Sequence, residues 1–201
     1  MSFVDQNLQN FYLHRVQAQL KTSPRVLEVG VGVRSIFSDL PQNFQEILSL
    51  DFNHELLEQA AAYPNKNSPH QFVCADFLGL SSTPFDLVFD AHCFHCLVKE
   101  DQPVSYLKKA HELLYPEGIL AFECMIRKEF KSPVIDIEDL LWHSGEPIRY
   151  IPVSQTIEQM VQATGFELIF FRVNLSFLFT PIKSRPELCF PLLQVVAKKK
   201  A

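Results

Sequence analysis

Residues 25–35 read RVLEVGVGVRS, and this stretch decides the fold. Its first part, residues 25–29, is a short apolar run of the kind that forms a buried strand. Gly30 and Gly32 end the run. Glycines placed directly after a strand let the backbone turn tightly and approach a ligand closely. The stretch therefore predicts a strand that leads into a ligand-binding loop.

The same pattern of a strand and then a helix recurs along the chain. Four more apolar runs predict strands, at residues 47–50, 71–74, 85–89 and 119–122. Amphipathic or capped segments predict helices over residues 5–20, 53–62, 103–114 and 154–163. Alternation of this kind favours βαβ units and a mostly parallel sheet. The last two β-rich runs, 166–173 and 188–197, have no helix between them and are predicted to pair antiparallel.

Acidic residues lie at or just past the end of successive predicted strands. They are Glu28, Asp51, Asp76 and Asp90. Right-handed crossovers place the carboxyl ends of parallel strands along one edge of the sheet. Open sheets of this type bind their ligands at that edge, near the point where the strand order reverses. We therefore expect these acids to surround a ligand.

These motifs together resemble those of the class I S-adenosylmethionine (SAM) dependent methyltransferases. Glu28, Gly30 and Gly32 match the family's acidic-x-Gly-x-Gly motif, although Arg34 stands where the family has a third glycine. Further family motifs follow in order, as LSLD at 48–51, CADF at 74–77, DAH at 90–92 and LLYPEG at 113–118. The resemblance implies a Rossmann-like, doubly wound α/β fold. Its seven-stranded sheet would be mostly parallel, with an antiparallel C-terminal hairpin as the sixth and seventh strands.

The resemblance also implies SAM as the cofactor and S-adenosylhomocysteine (SAH) as the product. Asp51 would accept hydrogen bonds from both ribose hydroxyls, Asp76 would accept from the adenine amine, and Phe77 would flank the ring. Asp90 would lie beside the transferable methyl. The full set of implied cofactor-binding residues is Glu28, Gly30, Gly32, Asp51, Phe52, Asp76, Phe77 and Asp90. Two simpler roles remain open, because Asp51 and Asp76 are also good helix N-caps and Phe77 is also a typical core residue.

Residues 92–96 read HCFHC and overlay H-x-x-H on C-x-x-C, which suggests zinc or a redox pair. Five adjacent residues do not readily direct four ligands at one tetrahedral centre, and the sequence has no second cluster of this kind. We therefore expect no metal. His92 and His95 are interpreted as the candidate catalytic residues, since histidine exchanges protons near neutral pH. His14 and Glu123 are further candidates for a general base.

The chain is predicted to form a single methyltransferase-like domain over residues 1–201. An N-terminal helix within residues 1–23 would act as a lid, as in many proteins of this fold. Residues 126–150 are predicted to be a helical insertion that lines the acceptor pocket. Phe130 and Trp142 of that insertion are interpreted either as pocket walls or as ordinary core.

Composition limits the partners and the compartment. The 201 residues carry a net charge of −5, which disfavours sequence-independent binding to nucleic acid. No apolar run approaches the roughly 20 residues that a membrane helix needs, and the opening MSFVDQNLQN does not resemble a secretory signal. Five cysteines, an odd number, indicate a reduced, cytoplasmic protein. The expected partner is a small-molecule acceptor, and the sequence does not indicate an oligomeric state.

Three other functions compete with methyl transfer to a small molecule. The first is a catalytically inactive SAM-binding interaction module, which Arg34 in place of glycine keeps open. The second is a nicotinamide-dependent oxidoreductase. Ser35 at the third glycine position of G-x-G-x-x-G and the antiparallel ending argue against it. The third is a metal or redox protein built on residues 92–96.

Overall fold

The computed structural model describes residues 5–40, 43–63, 69–90, 92–127, 139–143, 145–174 and 190–200. Nine strands lie within them: β1 Arg25–Val29, β2 Glu46–Asp51, β3 His70–Cys74, β4 Phe85–Asp90, β5 Leu114–Met125, β6 Leu140–His143, β7 Glu146–Tyr150, β8 Phe166–Asn174 and β9 Leu192–Lys199. The α-helices in this part of the chain are α1 Gln6–Phe11, α2 His54–Ala61, α3 Gln102–Leu113 and α4 Ser154–Ala163. A π-helical segment, Tyr12–Val16, continues α1.

Seven of the strands form one sheet in the order β3-β2-β1-β4-β5-β9-β8. Strands β1 to β5 pair in parallel, and β9 lies antiparallel between β5 and β8. The predicted fold is confirmed, with the antiparallel pair formed by the eighth and ninth strands of the chain. The strand order reverses between β1 and β4. This reversal opens a crevice at their carboxyl ends.

Each face of the sheet is covered by its own apolar cluster. On one face, α3 and α4 pack through Leu107 and Ile157 against Leu120 and Val195. On the other face, the N-terminal helical segment packs against Phe89 and the strands beside it. Both faces of the central strands are therefore buried, which explains why β1 and β4 read as continuous apolar runs.

The LLYPEG motif spans the junction of α3 and β5 and interrupts the regular pairing of β5 with β4. Leu114 pairs with Phe85, but the next paired residue of β5 is Ile119. Residues 115–118 therefore form a bulge, and within it Glu117 has a φ of 67°. A Cβ on Gly118 would lie 2.8 Å from the carbonyl oxygen of Tyr115. Glycine is needed there because the backbone approaches itself too closely for a side chain.

The prediction of a helix in residues 126–150 is wrong for the described part of that region. Strands β6 and β7 form a separate two-stranded antiparallel sheet. Gly145, with a φ of 85°, lies between them in the left-handed region that tight turns use. The apolar residues of this segment fit a helix or a strand, but the glycine among them favours a hairpin. Phe130 and the side chain of Trp142 lie outside the description.

None of the helices in the described ranges is long and apolar enough to cross a membrane.

Candidate active site

A cavity of about 500 Å³ opens at the carboxyl ends of β1, β2 and β4, within the range typical of small-molecule sites. Six of the sequence-predicted residues line it, namely Gly30, Asp51, Phe52, Asp76, Phe77 and His92. The remaining wall is largely apolar and includes Val29, Leu50, Leu78 and Leu97. The topology thus brings together residues that lie up to 77 positions apart in the chain, from Val29 to Tyr106.

Asp51 organises the two loops that meet at the cavity. Its Oδ2 accepts a hydrogen bond of 2.9 Å from the backbone N–H of Gly32, and its Oδ1 accepts one of 2.9 Å from the N–H of Asn53. Gly30 and Gly32 have φ values of 73° and 61°, which an L side chain adopts only with strain. Asn53, rather than Asp51, caps α2 through its own side chain.

Glu28 lies behind the cavity and does not line it. Its side chain is fully buried. One carboxylate oxygen accepts a 3.0 Å hydrogen bond from the N–H of Ile36, and the other accepts one from the hydroxyl of Ser49. Burial raises the pKa of Glu28, and the hydrogen bonds from Ser49, Ser35 and Ile36 oppose that rise. These contacts hold the glycine loop against the sheet, while a direct role for Glu28 in cofactor binding remains a prediction.

The far wall of the cavity is aromatic. Phe77 is almost fully buried, and its ring centroid lies 4.4 Å from that of Tyr106. Phe52 stands at the rim and is 82 % exposed. Asp76 accepts a 3.0 Å hydrogen bond from the N–H of Leu78 and so caps a short turn, which leaves its exposed carboxylate beside the cavity.

Asp90 is also buried behind the cavity, at the end of β4. Its Oδ1 accepts a 2.6 Å hydrogen bond from the N–H of Cys93. Burial raises the pKa of Asp90 to about 6, against the opposing effects of Tyr106, Cys93, His92 and Phe94. Its Oδ2 faces the hydroxyl of Tyr106, and the two interact without the geometry of a regular hydrogen bond. Tyr106 lines the cavity, and the sequence analysis missed it because a tyrosine on the inner face of a helix is usually core.

His92 connects the cavity to a buried acid. Its Nε2 lies 3.0 Å from Oε1 of Glu123, whose side chain is fully buried. The other oxygen of Glu123 accepts a 2.7 Å hydrogen bond from Nε2 of Gln194. Burial lowers the pKa of His92, but the hydrogen bond and charge of Glu123, with smaller effects of Asp5 and Asp90, outweigh it and leave the pKa above its usual value.

The other titratable residues of the HCFHC segment are poor candidates for this chemistry, although Cys93 and Cys96 also line the cavity. His95 is only 5 % exposed and is not among the cavity-lining residues. Burial, with the charges of His92 and Arg149, lowers its pKa to about 3. Burial likewise raises the pKa of the Cys93 and Cys96 thiols, which makes both poor nucleophiles. Among the described residues, no group of three or more His, Cys, Asp or Glu side chains is arranged to hold a metal ion.

Arg34, which stands in place of the third motif glycine, contacts one side chain that follows in its own loop region and one that follows α2. Its guanidinium lies 2.6 Å from Oδ2 of Asp39 and 4.5 Å from the centre of the Tyr63 ring. The arginine is therefore accommodated beside the glycine loop by an ion pair and an aromatic face.

Comparison with known proteins finds similarity to methyltransferases. Residues 27–122 match the model of a family described as a methyltransferase domain. An uncharacterized methyltransferase of Oceanobacillus iheyensis is 26 % identical over 165 residues, covering 75 % of this chain and 72 % of the relative.

Three solved structures share the fold at low sequence identity. The [4+2]-cyclase SpnF superposes with a TM-score of 0.77 at 18 % identity, covering 98 % of this chain and 82 % of that one. A 1,6-didemethyltoxoflavin-N1-methyltransferase of Burkholderia thailandensis superposes with a TM-score of 0.70 at 20 % identity, covering 98 % of this chain and 80 % of that one. The N-methyltransferase NodS of Bradyrhizobium japonicum superposes with a TM-score of 0.69 at 13 % identity, covering 99 % of this chain and 100 % of that one.

The structural likenesses show the fold alone, since the [4+2]-cyclase has it too. The matched domain and the curated relative add the activity. Together with the motifs, they support an enzyme of the class I SAM-dependent methyltransferase type, with SAM as its cofactor and SAH as its product.

Proposed function

We propose that this methyltransferase transfers the methyl group to a small-molecule acceptor bound beside His92. One observation carries the proposal. A single cavity has Asp51, Asp76 and Phe77 on its cofactor side and His92, backed by a buried glutamate, at another part of its wall. Such a cavity suits a cofactor and a compact acceptor held side by side.

The cavity residues fit the cofactor chemically. Each oxygen of the Asp51 carboxylate makes one hydrogen bond within the protein and keeps a lone pair, so the carboxylate can still accept from the two hydroxyls of a ribose. Phe77 and the exposed Phe52 offer apolar faces to a flat ring. The carboxylate of Asp76 lies beside them and can accept from an amine.

The buried carboxylate of Asp90 supports a cationic ligand beside the cavity. Its Oδ1 accepts from the N–H of Cys93, and its Oδ2 faces the hydroxyl of Tyr106, which lines the cavity. When bound, SAM supplies an electrophilic methyl on a sulfonium whose positive charge disappears on transfer. A buried acid behind the cavity favours binding of that charge.

His92 is the residue we propose to hold the acceptor and to take its proton where the acceptor must lose one. The raised pKa of His92 keeps it basic, and Glu123 stabilises the imidazolium that forms. His95 remains a predicted catalytic residue, but its burial and its low pKa make it the weaker candidate.

The walls of the acceptor site are proposed to come from the N-terminal lid and the 126–150 insertion. Asp5, at the start of α1, is close enough to influence the pKa of His92. From the other side, the ring of Tyr150 in β7 lies 6.1 Å from that of Phe94, two residues after His92. Both segments thus approach the residue that we place against the acceptor, within the proposed single domain of residues 1–201.

Several observations favour a small acceptor in a reducing compartment. The Burkholderia relative was crystallised with the small molecule 1,6-didemethyltoxoflavin and SAH, and the net charge of −5 disfavours a nucleic acid. The cysteines that the structure describes are all free thiols, which suits the cytoplasm. The comparisons do not support a SAM-binding module without catalysis.

A calorimetric titration with SAH tests the cofactor side. We expect micromolar binding, about −8 kcal/mol, weakened at least tenfold in Asp51→Asn and unchanged in Asp101→Asn. Asp101 is an exposed aspartate whose side chain makes no capping bond. Absence of SAH binding by folded, cofactor-free protein would contradict the proposal. SAH release from SAM, measured across a panel of small hydroxyl, amine and thiol compounds, tests the acceptor side.

A further inference from the structure

A second cleft, of about 320 Å³, lies on the sheet face that α1 and the π-helical segment cover. Its lining is Arg15, Phe170, Arg172, Val173, Asn174 and Gln194. The cofactor cavity is mainly apolar, whereas this cleft has two guanidinium groups and two side-chain amides. Its volume is sufficient for a small organic molecule.

The cleft is connected to His92 through a row of side chains on neighbouring strands. Gln194 of β9 pairs in register with Glu123 of β5 on one side and with Arg172 of β8 on the other. Residues opposite each other in a sheet share a face and contact through their side chains. Gln194 donates to Glu123, and Glu123 bonds His92. A molecule in this cleft therefore contacts the same hydrogen-bonded row that ends in the cofactor cavity.

No acid in the described part of the chain neutralises the two arginines of the cleft. Arg25, Arg34 and Arg127 all form ion pairs with carboxylates. Neither Arg15 nor Arg172 has a carboxylate within 4.0 Å among the residues that the structure describes. Arg15 instead lies 4.8 Å from the ring centre of Phe170, a cation–π contact that holds the guanidinium over the cleft.

Two positive charges that share a cleft repel each other, and an anion between them removes the repulsion. A guanidinium binds carboxylate or phosphate oxygens with paired, directed hydrogen bonds. The chemistry of the cleft is therefore that of an anion site.

We propose that Arg15 and Arg172 bind a carboxylate or phosphate group of the methyl acceptor, so that the acceptor is an organic acid or a phosphate ester. This inference rests on the proposed function, because it places the acceptor between the cleft and His92. The arginines would select and orient the acceptor through its anion, while its nucleophilic atom lies toward the cofactor cavity.

Inorganic phosphate and acetate are the probes. Each is titrated into the SAH-bound protein while the arginine side-chain Nε–Hε signals are followed by NMR. We expect saturable shifts of the Arg15 and Arg172 signals, and the anion with the lower dissociation constant identifies the preferred class. Arg15→Gln and Arg172→Gln should each raise that constant at least tenfold. Lys108→Gln, the same charge change at an exposed residue of α3 on the opposite face, should change it less than twofold.

Arg172→Lys is the control for a loss of structure caused by the Arg172→Gln substitution. It keeps the charge, and we expect it to weaken the probe less than Arg172→Gln does. The absence of saturable shifts for both probes, or an equal effect of Lys108→Gln, would overturn the inference. The SAH titration tests the proposed function independently of the anion titrations. SAH binding without an anion site overturns only this inference, whereas loss of SAH binding in the wild type overturns the proposed function.

Discussion

The Nε2 atom of His92 lies 3.0 Å from Oε1 of Glu123, across 31 positions of the sequence. His92 has a φ of 74°, a left-handed conformation that costs a residue other than glycine about 1 kcal/mol or more. Glu123 is fully buried and is bonded on its other side to Gln194. A strained histidine tied to a buried acid, beside a cofactor cavity, has the geometry of a positioned proton acceptor.

Glu123→Gln should lower the pKa of His92. The amide removes the charge that raises this pKa and leaves the opposing effect of burial. An NMR titration of the histidine ring signals measures the change. In turnover assays with an acceptor that must lose a proton, the acid limb of the pH–rate profile should move to lower pH and kcat should fall. Glu112→Gln, an exposed glutamate of α3, is the control. An unchanged His92 pKa in Glu123→Gln would contradict this role.

Gly32→Ala should destabilise the protein by about 1–2 kcal/mol, because Gly32 has a φ of 61° and an L residue is strained there. Gly79→Ala is the matched control, since both glycines have open space around a new Cβ but Gly79 has no positive φ. Urea unfolding compares the two variants. The shifted loop should also weaken SAH binding in Gly32→Ala alone. Equal stabilities for both variants would show that the loop relaxes freely.

Tyr106→Phe should weaken SAH binding several-fold while leaving the free energy of unfolding within about 0.5 kcal/mol of the wild type. The hydroxyl faces Asp90 Oδ2 without the geometry of a regular hydrogen bond, so its removal breaks only a weak bond of the protein. Calorimetry with SAH and urea unfolding separate the two effects. Tyr150→Phe, at a tyrosine outside the cavity lining, is the control for hydroxyl removal. A large loss of stability without a change in affinity would indicate a purely structural hydroxyl.

His70→Gln should reduce the acid sensitivity of the fold. Burial lowers the pKa of His70 to about 4, whereas an unfolded histidine titrates near 6.5. Between these values the unfolded state binds the additional proton. The folded state therefore loses stability as the pH falls, by up to about 1.4 kcal/mol per pH unit.

Unfolding free energies measured from pH 7 to pH 4 test this prediction. The slope should be smaller in His70→Gln and unchanged in His54→Gln, whose side chain is 69 % exposed. An equal slope in wild type and His70→Gln would mean that His70 titrates normally in the folded protein.

Local patterns in the sequence were sufficient to predict most of the fold and the residues on one side of the candidate site. Apolar runs that end in glycine or an acid predicted β1 to β5, because a strand buried on both faces needs such a run. Asp51, Asp76 and Phe77 were predicted to meet, since parallel strands end at one edge. The hairpin at β6 and β7 was missed, because short apolar runs fit a helix and a strand equally well.

The sequence by itself determined the parallel sheet, its antiparallel ending and the edge of the sheet at which the candidate site lies, since all three follow from the order and spacing of residues along the chain. Only the tertiary structure decided that Glu28 lies behind the cavity, that His92 rather than His95 faces it, and that Glu123, Gln194 and Arg172 form one row. These contacts join residues 31 and 71 positions apart. Cross-strand register and burial set them, and neither can be read from neighbouring residues in the chain.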